Sequence, residues 1–150
     1  GRLRSAGREL PFDVEEYYDW TLAKFGGRSD GTAKCRYCPM VLTTLDFQVD
    51  HVEPLKQGGG AGLDNLDVCC PSCNRYKGGL TERGFITFRI MLRWMAGERT
   101  EREERDLIVE GAFTIQDAAE IKQRLNGPIA YHKSQRKGKE QELASRAGRN

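Results

Sequence analysis

The chain has 150 residues, of which 38% are hydrophobic and 31% charged, a size and composition typical of one small domain with helical additions. Lysine and arginine number 24 against 22 aspartate and glutamate residues, and a net charge of +2 does not by itself indicate a nucleic-acid partner. The sequence has neither an apolar run long enough to span a membrane nor a secretory signal. We therefore expect an intracellular protein, in the cytoplasm, nucleus or an organelle, with no membrane partner.

The first predicted element is an N-terminal helical extension over residues 1–30. Residues 1–10 are expected to be a frayed end. The apolar spacing that follows predicts a helix that Asp13 caps and that ends at Gly26.

Two C-x-x-C cysteine pairs frame the next segment, residues 31–80. The pairs are Cys35 with Cys38 and Cys70 with Cys73. Each spacing forms a tight turn that aims two thiolates at one ion, and an odd cysteine count without an export signal argues against disulfides. We predict a structural zinc site. Cys69 is then left over as a small buried residue on the preceding strand, although a Cys69-x-x-x-Cys73 pair is an alternative.

Short elements are predicted between and after these cysteines. Alternating apolar and polar residues indicate a strand over residues 47–52, followed by a glycine-rich loop over 56–62. A second short strand or turn is expected over residues 63–68, and a helix over 74–77 that glycines break.

Helices dominate the prediction for the rest of the chain, and residues 81–132 are expected to form C-terminal helices that pack on the core. The predicted helices cover residues 81–95, 100–110 and 114–125, the last stopped by the sequence Asn126-Gly127-Pro128. Residues 133–150 carry six basic against two acidic side chains and predict a basic, disordered tail, either a phosphate-attracting arm or a solubilising terminus.

Four motifs together resemble the HNH endonuclease family, the ββα-metal nucleases, over residues 33–79. They are Cys35-x-x-Cys38, Val49-Asp50-His51-Val52-Glu53-Pro54-Leu55, Leu63-Asp64-Asn65-Leu66, and Cys70-Pro71-Ser72-Cys73-Asn74-Arg75-Tyr76-Lys77-Gly78. The resemblance implies an α+β fold, in which zinc staples a small core of one β-hairpin and one helix, with flanking α-helices.

The resemblance also implies a role for four polar residues. His51 would be the general base, because histidine side chains have an unperturbed pKa near ~6.5 and accept a proton from water at neutral pH. Asp50 and Asn74 would ligate one catalytic metal ion, Mg²⁺ or Mn²⁺, which suits their oxygen donors. Asn65 would brace the loop that orients His51.

The implied activity is metal-dependent hydrolysis of DNA phosphodiester bonds, by nicking or cleavage. DNA is the expected partner, and a homodimer or a larger nuclease assembly stays open. Lys56, Arg75 and Lys77 flank the expected active site and are candidates for contact with DNA phosphates. The alternative is a zinc-stabilised nucleic-acid-binding module without catalytic activity, in which the same residues serve only the structure.

Overall fold

The fold was analysed in a computed structural model that describes residues 2–5, 7–99, 101–103, 106 and 113–149. The fold class is α+β, as predicted, with small antiparallel strand pairs and α-helices. The chain divides into two compact units, Gly1–Phe85 and Ile86–Asn150. Among the described residues, no helix combines the length and apolar character that crossing a membrane requires.

The N-terminal segment is more ordered than predicted. It consists of strand β1 (Arg2–Ser5), strand β2 (Arg8–Asp13) and helix α1 (Val14–Lys24). The two strands pair antiparallel, so the expectation of a frayed end is wrong. The predicted cap of α1 is confirmed, because the Asp13 carboxylate accepts from the Glu16 backbone N–H at 2.9 Å and the Glu16 carboxylate accepts from that of Asp13 at 2.8 Å. Gly26, at φ +72°, follows the helix.

A hairpin and a helix form the centre of the first unit. They are strand β5 (Gln48–His51), strand β6 (Leu66–Cys69) and helix α2 (Pro71–Lys77), preceded by a smaller hairpin of strand β3 (Thr32–Lys34) and strand β4 (Val41–Thr43). The two longer strands pair antiparallel, with His51 opposite Leu66. Both predicted strands are thus confirmed, whereas α2 begins earlier than predicted because the Cys70 sulfur caps it, accepting from the Cys73 N–H at 3.4 Å.

Polar contacts join the smaller hairpin to the rest of this unit. The turn between β3 and β4 carries Arg36, whose backbone N–H donates to the Val68 carbonyl at 3.1 Å. Its guanidinium pairs with Asp67 at 2.7 Å and also with Glu82 at the start of the next helix. The first C-x-x-C turn is therefore held against β6, next to the second.

Helix α3 (Glu82–Met95) matches the predicted helix over 81–95. The Thr81 hydroxyl caps it by accepting from the Gly84 N–H at 3.0 Å. Most of the predicted helix over residues 100–110 lies outside the described residues.

Helix α4 (Ile115–Ala147) is much longer than predicted. Its start agrees with the sequence, because Thr114 and Asp117 form a capping box, and the buried Ile121 and Leu125 lie one turn apart. In the same unit, the Arg124 guanidinium lies 5.2 Å from the centre of the Phe88 ring on α3.

The expected helix stop at residues 126–128 and the disordered tail after it are both wrong. A proline inside a helix removes one backbone hydrogen bond, and strong helix formers on both sides can carry the helix past it. The later part of α4 is exposed and contains ion pairs one turn apart: Arg136 with Glu140 at 3.3 Å, and Arg146 with Glu142 at 2.7 Å. That the C-terminal helices pack on the core stays a prediction.

Candidate metal centre and active site

Four sulfur atoms meet where the β3–β4 turn approaches the start of α2. The Sγ atoms of Cys35, Cys38, Cys70 and Cys73 all lie within 4.8 Å of one another. The Cys38 and Cys70 sulfurs are 3.8 Å apart, and four ligands about 2.3 Å from a tetrahedral zinc would lie about 3.8 Å apart. The predicted clustering of these four cysteines is therefore confirmed, and its size fits a metal ion such as zinc.

Backbone N–H groups that donate to the cluster stabilise negative charge on its sulfur atoms. The Cys35 sulfur accepts from the backbone N–H groups of Tyr37 at 3.4 Å and Cys70 at 3.3 Å. Burial raises the pKa of the Cys35 thiol, but these donors outweigh it and leave the pKa below its usual value. Burial and the neighbouring thiols raise the pKa of Cys73. Such crowded thiols ionise together only when a cation balances their charge, which is a second reason why the donor set fits zinc.

Cys69 lies outside the cluster, as predicted. It ends β6 and is fully buried, and burial raises the pKa of its thiol to about 12. Its sulfur is not one of the four that meet in the cluster. The alternative pairing of Cys69 with Cys73 is therefore wrong.

His51 and Asp50 lie at the end of β5 and line one surface cavity of about 280 Å³. The other lining residues are Pro54, Leu55, Lys56, Gly78 and Gly79. Neighbouring side chains on a strand point to opposite faces, but β5 ends at His51, where the chain turns, and both residues reach the cavity. The His51 imidazole is partly exposed and makes no hydrogen bond to a described residue. An imidazole in this position can accept a proton from a water molecule in the cavity.

The Asp50 carboxylate is nearly buried and uses only one of its oxygen atoms within the protein. Oδ2 accepts from the Tyr37 hydroxyl at 2.6 Å and pairs with the Lys77 ammonium at 2.9 Å. Oδ1 makes no hydrogen bond to a described residue. Because every buried side-chain nitrogen or oxygen in this part of the chain has a partner, Oδ1 must keep exposed surface. One carboxylate oxygen is thus fixed and the other is accessible.

Lys77 is not a surface residue, so its prediction as a contact to DNA is wrong. Its side chain is 0% exposed, and its ammonium donates to the His51 carbonyl at 2.9 Å in addition to its pairing with Asp50. Asn74 and Lys77 are three residues apart and therefore share one face of α2, the face against β5. Helical periodicity could have revealed the burial of Lys77, because Asn74, which the sequence predicts to face the site, lies on the same side of α2.

Asn74 also faces β5, but its amide nitrogen is engaged there. Nδ2 donates to the Gln48 side-chain oxygen at 2.7 Å, and Gln48 lies on the same face of the strand as Asp50. The Asn74 side-chain oxygen has no hydrogen-bond partner in the described part of the chain. Asn74 and Asp50 thus each keep one oxygen without a hydrogen-bond partner among the described residues, and Mg²⁺ takes few protein ligands. Asn74 is not among the residues that line the cavity beside His51, so the binding of one metal ion by both residues stays a prediction. The Lys77 ammonium partly neutralises Asp50, so we expect such binding to be weak.

Asn65 joins the two ends of the loop that connects β5 to β6. Its Oδ1 accepts from the Glu53 N–H at 2.9 Å, and its Nδ2 donates to the carbonyls of Glu53 and Gly60, both at 2.8 Å. These bonds fix the backbone two residues after His51. That Asn65 orients His51 for catalysis stays a prediction.

The clamp by Asn65 requires a glycine at position 59. A Cβ atom there would lie 1.9 Å from the Glu53 carbonyl oxygen and 3.0 Å from the Asn65 amide nitrogen, whereas a Cβ at Gly60 would meet nothing within 4 Å. We expect Gly59→Ala to lower the free energy of unfolding by about 1–3 kcal/mol, because the backbone must shift. Gly60→Ala, the matched control, should be neutral or stabilising by up to about 1 kcal/mol. Urea unfolding of the zinc-loaded proteins measures both, and equal stabilities would contradict the clamp.

The remaining DNA-contact candidates are both exposed. Lys56 lines the cavity beside His51, and Arg75 lies on α2 one residue after Asn74. Sequence reasoning missed Tyr37 and Gln48, whose side chains engage Asp50 and Asn74. The signal for Tyr37 was an aromatic residue with a hydroxyl group between two metal-type cysteines.

Four cysteines that could hold a metal ion lie beside a β-hairpin and a helix, and together they form a small ββα unit. Residues 35–79 match the family model described as HNH endonuclease, so this segment of the chain is similar to that family. Neither a curated protein nor a solved structure matches the chain. This similarity indicates a nuclease or nucleic-acid-related function, and the match includes all four clustered cysteines together with Asp50, His51, Asn65 and Asn74.

Proposed function

We propose that this protein is a metal-dependent endonuclease that hydrolyses DNA phosphodiester bonds. The proposal is carried by one observation: the His51 imidazole and the Asp50 carboxylate line the same cavity within the HNH segment. A base and a metal-type oxygen that share one small cavity can act on one phosphate group.

His51 acts as the general base in this proposal. Its imidazole takes a proton from a water molecule, whose oxygen then attacks phosphorus as the bond to the 3′-oxygen breaks. The 3′-oxygen takes a proton from solvent water, which leaves 5′-phosphate and 3′-hydroxyl ends. Asp50 and Asn74 would hold Mg²⁺ or Mn²⁺, which supplies charge neutralisation at the phosphoryl and leaving oxygens. Asn65 keeps the backbone after His51 in place through its bonds to Glu53.

The four clustered cysteines would hold a structural zinc ion. All four positions of a tetrahedral site are then filled by sulfur, so this ion has no open position for water or phosphate. Zinc in this place keeps the β3–β4 turn against the start of α2. The hydrolysis therefore takes place in the cavity at the end of β5 and not at the zinc ion.

A test of this function incubates the zinc-loaded full chain with supercoiled plasmid and Mg²⁺ or Mn²⁺. One cavity can process one strand at a time, so the expected first product is nicked circular DNA, with linear DNA later. Retention of the supercoiled form with both metals, under conditions where the protein binds the plasmid, would refute catalysis.

The second candidate is a zinc-stabilised nucleic-acid-binding module without catalysis. It is favoured by the contact between the buried Lys77 ammonium and Asp50, which satisfies the carboxylate without any metal ion. This candidate predicts plasmid binding that leaves the DNA intact. Cleavage that requires added Mg²⁺ or Mn²⁺ would exclude it.

Arg75 provides a prediction about DNA contact. Arg75→Ala should weaken binding to DNA similarly for all sequences and reduce the dependence of log K on log salt by about one phosphate contact. The matched control is Arg83→Ala, also exposed but on α3, outside the HNH segment. Fluorescence anisotropy with a labelled duplex at several salt concentrations measures the slopes, and identical slopes for the two variants would remove Arg75 from the interface.

A further inference from the structure

We propose that Tyr37 and Lys77 are positioning residues of the active site, which hold Asp50 Oδ2 so that Oδ1 faces the cavity beside His51. This inference rests on the proposed nuclease function and adds two residues to it. Neither residue touches the cavity itself, since the lining residues include Asp50 and His51 but not Tyr37 or Lys77.

The two donors that restrict the carboxylate come from different elements. Tyr37 donates its hydroxyl hydrogen from the β3–β4 turn at 2.6 Å, and Lys77 donates from the end of α2 at 2.9 Å. The Lys77 ammonium also lies 5.7 Å from the centre of the Tyr37 ring. With both donors on one oxygen atom, the Asp50 carboxylate cannot rotate without losing a charge-assisted hydrogen bond.

Lys77 fixes His51 through the same ammonium group. It donates to the His51 backbone carbonyl at 2.9 Å, at the residue where β5 ends. One buried cation thus contacts both the proposed metal ligand and the proposed base, Asp50 through its side chain and His51 through its backbone. A displacement of Lys77 would therefore move the proposed base and the proposed metal ligand together.

Tyr37 connects this arrangement to the cysteine cluster. It lies between Cys35 and Cys38, and its backbone N–H donates to the Cys35 sulfur while its hydroxyl reaches Asp50. The Tyr37 ring also contacts the Phe85 ring edge to face, with centres 5.5 Å apart. The ring is therefore anchored independently of the hydroxyl, and Tyr37→Phe removes the bond to Asp50 while it leaves ring contacts in place.

The experiment compares Tyr37→Phe with Tyr18→Phe, which changes an exposed tyrosine on α1. For plasmid nicking by the zinc-loaded full chain, Tyr37→Phe should lower kcat by about tenfold to 100-fold and leave KM for DNA within about twofold, as for residues that orient metal ligands. Tyr18→Phe should match the unmodified protein. A purely structural Tyr37 would lower the melting temperature but leave kcat of the folded protein unchanged, and that result would overturn the proposal for Tyr37.

A second readout does not need activity. The chain has two histidines, so ¹⁵N-histidine labelling gives two sets of imidazole signals, and His132 provides the reference. Lys77→Met, compared with Lys34→Met on β3, should shift the His51 imidazole signals and leave those of His132 in place. Unchanged His51 signals in a folded Lys77→Met protein would overturn the role of Lys77. Absence of nicking by the unmodified protein would refute the nuclease function, and the imidazole signals would still test the positioning.

Discussion

His51→Ala is expected to abolish DNA cleavage and to leave the fold and DNA binding intact. The imidazole lines the cavity and makes no hydrogen bond to a described residue, so its removal breaks no side-chain hydrogen bond that the structure describes. Loss of a general base lowers rates by roughly 10²- to 10⁴-fold. The measurement is the rate of conversion of supercoiled to nicked plasmid with Mg²⁺ in excess.

His132→Ala is the matched control, because it removes the only other histidine in the sequence. It should nick DNA at the rate of the unmodified protein. DNA binding measured by anisotropy should be equal for the two variants and the unmodified chain. Nicking by His51→Ala at more than about a tenth of the normal rate would show that another group accepts the proton.

Cys35→Ala is expected to remove zinc and unfold the HNH segment. The Cys35 sulfur accepts two backbone hydrogen bonds within the cluster, and the side chain is buried. Structural zinc sites of this type contribute about 10–16 kcal/mol of binding free energy, which becomes folding free energy where the site does not exist in the unfolded chain. Metal analysis should give about one zinc per chain for the unmodified protein and a value near zero for the variant, with loss of the cooperative thermal transition.

Cys69→Ala is the matched control, because it changes the one cysteine that lies outside the cluster. Cys69 directly precedes Cys70 and is buried, like Cys35. Its replacement leaves all four clustered sulfurs in place. Zinc content should stay at about one per chain, and the melting temperature should fall by a few degrees at most. Equal zinc loss in the two variants would contradict the assignment of the ligands.

The cysteine cluster and the strand that carries Asp50 and His51 could be predicted because their determinants are local. Two C-x-x-C turns fix the sulfur geometry within a few residues, and the strand with Asp50 and His51 has a clear alternating pattern. The helix caps at Asp13 and Thr114 were recognisable for the same reason, since a cap depends on residues three positions apart.

The partners of Asp50 could not be predicted, because they come from distant parts of the chain. Tyr37 is 13 residues from Asp50 in the sequence, and Lys77 donates to His51 across 26 residues. A lysine is usually exposed, and only the approach of α2 to β5 makes its burial favourable, since the ion pair with Asp50 offsets the loss of hydration.

Local secondary-structure propensity also gave wrong predictions at both ends of the chain, for residues 1–10 and for the end of α4. The pairing of β1 with β2 supplies backbone hydrogen bonds that no periodic pattern over residues 1–10 indicated. In α4, the prediction treated Asn126-Gly127-Pro128 as a stop, but the sequence after it favours helix strongly enough for the element to reach Ala147.

Every side chain proposed to act in the chemistry, to position the active site or to bind zinc lies between Cys35 and Lys77, on two hairpins, the connecting loops and the helix that follows. Because these residues form one continuous segment, the amino-acid sequence of the flanking segments can change without altering them. Recombination that exchanges the flanking segments would redirect the protein to new targets and preserve the reaction. Engineers could use the same modularity, fusing this segment to other recognition domains without redesigning its interior.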